Sequence, residues 1–219
     1  MPATDIAPDP YDIYLIHRVF RREFPRLAGD IASALAAGDS GRSAALVDHW
    51  ALLDYFLEHH HDGEDLLLWP PLESAAAEDA AVVARMRAEH DELLARLAAA
   101  RAALAPWTGS GGTLPPADGY AVVLDALADD LVSHLDDEDA LVVPLVTAHL
   151  TAGQWAALGE HGRGGMDPER AFTFLGLILE DADEEERAKF TAEMPPPALE
   201  AFRSFGEPAY REYVAVLRG

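Results

Sequence analysis

Apolar residues recur along most of this chain at the three- and four-residue spacing of a single helix face. Between Asp12 and Ala37, the series Ile13, Ile16, His17, Phe20, Phe24, Leu27, Ile31 and Leu35 predicts one long amphipathic helix. Pro25 falls inside it and predicts a kink or break near Phe24. Gly38-Asp39-Ser40-Gly41 reads as a turn. A second helix is predicted over about Arg42–Trp69, with Leu46, His49, Leu53, Phe56, His60, Glu64 and Leu67 on one stripe. Pro70-Pro71 is expected to end it or bend it sharply. The third helix spans about Glu78–Leu104, with Val82, Met86, His90, Leu93, Leu94 and Leu97 inward. Ala105–Gly119 is rich in Gly, Pro, Ser and Thr and reads as a loop. The fourth covers about Tyr120–Val143, with Val123, Leu127, Leu131, His134, Glu138 and Leu141 inward. The pattern is that of an all-α, up-down-up-down four-helix bundle.

Past about His149 the periodicity changes. Gly162-Arg163-Gly164-Gly165 is a break, and Asp167-Pro168 reads as an N-cap followed by proline in the first helical position. Short helices are predicted over Phe172–Leu179, Asp183–Met194 and Glu207–Leu217, with Pro195-Pro196-Pro197 as an interruption. Two units are expected: a bundle over 1–150 and a helical C-terminal extension over 151–219, packed with additional short helices on the bundle or serving as a partner-binding appendage.

Composition narrows the function classes. The 219 residues are half hydrophobic and dominated by Ala and Leu, which suits a helical core. A formal net charge of −23 argues against nucleic acid and anionic membrane surfaces, both of which need a basic patch. The absence of cysteine removes disulfides, Fe–S clusters and thiol chemistry. Met1–Pro10 is acidic, lacks an apolar centre and reads as no signal peptide, and no transmembrane run is seen, so a soluble cytoplasmic protein is expected.

The chemistry is written twice. His60 to Pro70 and His134 to Pro144 both read His-x-x-x-Glu-Asp-x-x-x-x-Pro. One helix earlier stand His17 and His90, at gaps of 43 and 44 residues. Residues four apart on a helix share a face, with Cβ atoms about 6 Å apart. Each motif therefore aims one imidazole and one carboxylate at one spot. A single His-x-x-x-Glu is common by chance; a duplicate with matched upstream histidines on apolar stripes is not. Buried histidines and glutamates are costly unless paired or metal-bound. Imidazole plus carboxylate suits iron, zinc, manganese or copper. His17, His60, Glu64, His90, His134 and Glu138 are thus the candidate ligands of a two-metal site inside the bundle.

On these residues the chain resembles the hemerythrin-like, or HHE cation-binding, family over about Tyr11–Val146. The resemblance implies a non-haem di-iron centre: two iron ions (Fe2+/Fe3+) with a bridging oxo or hydroxo group, other divalent metals suiting the same donors. It implies that the six residues are the ligands, with Glu64 and Glu138 bridging. Oxygen carriers of the family have a further histidine on the third helix, one turn after the first. Here Leu94 takes that position and Met86 the preceding turn, which points to the six-ligand branch with more open coordination. That favours redox chemistry on dioxygen, peroxide or nitric oxide, such as peroxide decomposition, over reversible oxygen binding. The alternatives are a sensor of oxygen, nitric oxide or iron, an iron donor for metal-centre repair, and an oxygenase. The partner expected is a small molecule (O2, H2O2 or NO), with no nucleic acid or membrane, and with a homodimer left open.

Around the six, His61, Asp65 and Tyr14 are candidates to support the centre from outside the ligands, His61 and Asp65 by pairing along their helix and Tyr14 by reaching metal-bound oxygen. Asp139 is placed with Asp65, behind the ligands or at a helix end. His59 is expected behind the ligands or at the surface. His49, roughly 16 Å from His60 along the helix, is expected to be a satisfied core histidine. His149 and His161 are expected to be exposed, and Trp69 to pack.

Overall fold

A computed structural model describes residues 7–75, 77–165 and 167–219. Met1–Ile6, the first part of the N-terminal stretch expected to hold no signal peptide, lies outside them. Among the described residues every regular element is helical.

The first predicted helix breaks where Pro25 demands it. Helix α1 covers Tyr11–Glu23, a tight turn covers Phe24–Arg26, and α2 covers Leu27–Ala37. Gly38 closes α2 in the left-handed conformation, φ 64°, at no Cβ cost. Asp39 then caps α3 (Ser40–Gly63) by accepting the Arg42 backbone N–H at 2.9 Å.

Of the end or sharp bend expected at Pro70-Pro71, the end does not occur. After Gly63 the chain makes one π turn, Glu64–Leu68, and resumes as α4 (Trp69–Ala75). The Trp69 N–H reaches back five residues to the Glu64 carbonyl. The second motif repeats this: α6 (Tyr120–Asp137) runs into a π turn at Glu138–Val142 and on into α7 (Val143–His149), the Val143 N–H bonding the Glu138 carbonyl. Pro70 and Pro144 each follow directly. A proline ring collides with the carbonyl four residues back, and one extra residue in the turn moves that carbonyl aside. Each motif proline therefore goes with a bulge that starts at the motif glutamate. Helix α5 (Ala80–Gly109) outruns its expected end at Leu104 and passes Pro106. Trp107, wholly buried, donates its indole N–H to Ser43 Oγ at 3.0 Å and ties this last turn to α3.

The α1–α2 pair touches α3 and α6, and α5 also touches α3 and α6, closing a four-helix bundle. The extension begins with α8 (Ala152–Arg163), which the periodicity did not indicate and which Thr151 and Gln154 start as a capping box. Helices α9 (Pro168–Glu180), α10 (Glu184–Ala192), α11 (Pro196–Ala201) and α12 (Glu207–Arg218) follow, with Asp167 and Asp183 as N-caps. Helix α9 lies on α1 and stacks Phe174 against Phe56 with ring centroids 3.7 Å apart. Helix α12 lies on α3: Tyr213 Oη meets His49 Nδ1 at 2.6 Å, and Arg42 Nε donates to the Leu217 carbonyl at 2.9 Å. The latter contact holds the chain end beside the start of α3.

Candidate metal centre

The six motif residues converge. His17 comes from α1, His60 from α3, His90 from α5, His134 from α6, and Glu64 and Glu138 from the two π turns; along α3, α5 and α6 a large apolar cluster lies on one side and a smaller one containing Leu68, Trp69, Met86 and Val142 on the other. His60 Nε2 stands 3.2 Å from both His17 Nε2 and Glu64 Oε1. The other Glu64 oxygen, Oε2, is 3.5 Å from His90 Nε2. Glu138 Oε2 is 3.5 Å from His17 Nε2 and 3.7 Å from His134 Nε2. Each glutamate thus faces one histidine from each of the two sets.

Three of the imidazoles are held from behind by carboxylates. His17 Nδ1 meets Asp139 Oδ1 at 2.8 Å, and Asp139 Oδ2 accepts from Arg21 at 2.7 Å. His90 Nδ1 meets Asp65 Oδ1 at 3.0 Å. His134 Nδ1 meets Glu89 Oε2 at 3.0 Å, and Glu89 Oε1 accepts from Arg85 at 2.7 Å. A carboxylate on Nδ1 fixes the tautomer with the proton there and turns a basic Nε2 inward. Burial pushes Asp139 up, but His17 and Arg21 outweigh it and hold the carboxyl low.

Glu89 was not legible in the sequence, because it has no counterpart in the duplicated pattern. The expected pairing of His61 with Asp65 is not formed; Asp65 serves His90 instead. His61 is buried and stacks on His90, ring centroids 4.2 Å apart. Its donor atoms lie within 4.8 Å of those of His90 and His134, as do those of His17, His60, Glu64 and Glu138 among themselves. The third imidazole beside His90 and His134 is therefore His61 of α3, while Leu94 of α5, at 36% exposure, lies toward the surface. Tyr14 does not fit its expected place. It is 37% exposed and makes no hydrogen bond among the described residues. His161, expected to be exposed, is half-buried and stacks on His59 at 4.5 Å. His49 is buried as the periodicity suggested; its Nδ1 meets Tyr213 Oη, and its Nε2 stands 3.3 Å from Glu23 Oε2.

The cluster fits a cation. Both carboxylate oxygens of Glu64 and of Glu138, and Nε2 of His61, His90 and His134, are buried without a hydrogen-bond partner. Proteins leave few such atoms, because each costs about 1–3 kcal/mol. So many at one spot, all of them lone-pair donors, are satisfied together by a metal ion. Burial and the neighbouring imidazoles hold His60 and His61 neutral, the ligating form, and burial with Glu138 alongside pushes Glu64 well up. A bound cation reverses the cost of ionising it.

A family model, the hemerythrin HHE cation binding domain, matches residues 11–146. The chain belongs to that family. The HHE match covers both duplicated motifs and all four bundle helices and ends within α7, before the extension begins. No curated protein and no solved structure gives a significant match.

Proposed function

We propose that this HHE domain holds two iron ions and acts as a redox enzyme on a small oxygen or nitrogen species, with peroxide decomposition the most concrete version. The observation that supports it is the placing of Glu64 and Glu138, each between a histidine of the His17/His60 group and one of the His90/His134 group. In this reading His17 and His60 would hold one ion, His90, His134 and His61 would hold the other, and Glu64 and Glu138 would serve both. Bound there, iron would supply one-electron redox steps and open positions for a small ligand. The His17/His60 half has one imidazole fewer and is the more open. Asp139, Asp65 and Glu89 hold the protons of three imidazoles at Nδ1 and fix the rings. The apolar shells on either side exclude water. No feature of the geometry favours the sensor or iron-donor reading over this one.

The test is iron loading followed by elemental analysis and repeated additions of peroxide. Two irons per chain and many turnovers are expected, with turnover lost in Glu138→Ala. A stoichiometry of one or below in well-folded protein overturns the two-metal reading. A stable, reversible dioxygen adduct without turnover overturns the enzyme reading in favour of a carrier.

A further inference from the structure

Between the bundle and the extension lies a cavity of about 330 Å3, within the ~300–1,000 Å3 range of small-molecule sites. Its walls come from α1 and α3 on one side and from α8, α9, α10 and α11 on the other. They are apolar and aromatic: Phe20, Phe56, Phe172, Phe174, Phe190 and Trp155 all face it. Most polar side chains of the wall already have partners. Asp12 accepts from the Trp155 indole at 3.1 Å, Glu193 from Tyr11 Oη at 3.2 Å, and His59 Nε2 meets the His161 carbonyl at 2.9 Å.

Three side chains of the wall keep a nitrogen without a partner among the described residues: the exposed Arg163, His161 through its buried Nε2, and His60, which alone of the three belongs to the metal cluster. Its side chain is 12% exposed, against 0–1% for His17, Glu64, His90, His134 and Glu138. It also differs behind the ring. The other three motif histidines each present Nδ1 to a carboxylate, whereas His60 Nδ1 has no partner among the described residues and its ring lines the cavity. If a metal occupies Nε2, the proton sits on Nδ1 and makes it a donor; this step rests on the reading of the centre given above.

We propose that the cavity binds a neutral, largely hydrocarbon small molecule bearing one acceptor oxygen, which accepts from His60 Nδ1–H. The occupant completes at His60 what Asp139, Asp65 and Glu89 do at the other three motif imidazoles, and so couples its own binding to the centre. The extension, which the family match does not reach, supplies most of the wall residues and makes this pocket a property of the whole chain. The two carboxylates of the wall, Asp12 and Glu193, outnumber its one guanidinium, the exposed Arg163, and with the chain's net charge of −23 they favour a neutral occupant over an anion.

Calorimetric titration of the full chain, iron-loaded and metal-free, with 2-acetylnaphthalene, 2-ethylnaphthalene and 2-naphthoate tests this. The ketone is expected to bind one per chain, roughly tenfold tighter than the hydrocarbon on the iron-loaded protein. It is also expected to shift the iron absorption bands, which the hydrocarbon leaves in place. Filling the cavity with Ala171→Trp, or separately Ala198→Trp, is expected to weaken ketone binding by roughly tenfold or more. Absence of saturable binding, or binding untouched by both filling variants, overturns the site. Equal affinity for ketone and hydrocarbon overturns the His60 contact, and tighter binding of the naphthoate overturns the neutral class. A chain that takes up no iron overturns the centre and the donor assignment with it, while titrations of the metal-free filling variants still decide whether the cavity binds.

Discussion

His17 and Asp139 stand 2.8 Å apart, Nδ1 to Oδ1, although they belong to opposite copies of the duplicated motif. The mirror contact, His90 to Asp65, closes at 3.0 Å. Each motif's aspartate thus anchors the upstream histidine of the other set, and the two halves of the bundle position each other's imidazoles. Asp139→Asn is expected to weaken metal binding about 10–100-fold with the fold kept. Competition against a chelator of known affinity measures it. Asp65→Asn should behave alike, and an unchanged affinity in both would mean that the anchors are ornamental.

Glu64 and Glu138 each face histidines of both groups, so neither ion is expected to survive loss of either glutamate. Glu64→Gln is expected to lower both metals together rather than one. Metal content per folded chain, read by elemental analysis, decides between bridging and terminal roles.

His61 separates a five-imidazole cluster from a four-imidazole one. In His61→Phe, which keeps an aromatic ring against His90, one metal is expected to be lost or to bind at least about tenfold more weakly. Retention of two tightly held ions would reduce His61 to a stacking partner.

The orphaned donors predict that metal and stability are linked. At free metal about 1,000 times Kd, loading is expected to add about 4 kcal/mol per bound ion and raise Tm by roughly 10 °C or more. Calorimetry on metal-free and loaded protein measures it; equal melting would show that the cluster binds nothing.

A different carboxylate contributes to the acid sensitivity of the fold. Glu23 is buried in α1 beside His49 and Arg22. Burial alone would push it up, but these two partners outweigh that and hold it at about 2. A depressed carboxyl stabilises above its unfolded value, about 4.3, and loses that contribution as pH falls toward 2. Between pH 5 and pH 2 the native chain should lose more Tm than Glu23→Gln. Parallel losses would show that Glu23 is not ionised in the fold.

Glycine placement shows how closely the extension is fitted. A Cβ on Gly176 of α9 would collide with the Tyr210 ring of α12, whose hydroxyl donates to Glu180 at 2.8 Å. Gly176→Ala is expected to cost about 1–3 kcal/mol through overpacking, read by denaturant unfolding.

The four bundle helices and the six converging donors were legible in the sequence, because helical period alone puts residues four apart on one face and the motif occurs twice. The break at Pro25 followed from the missing N–H. The passage of the helix through Pro70 did not, because a π turn is a local choice that neither proline nor periodicity announces. Nor did the roles of the residues beside His60. The helical period sets His59 and His61 about 100° to either side of it, but not which flank is buried or against what. Only tertiary packing decided that His59 would meet His161 of α8 while His61 turned in against His90 of α5. The same packing brought Glu89 behind His134 and closed the cavity against His60, since both depend on helices far apart in the chain coming to rest side by side.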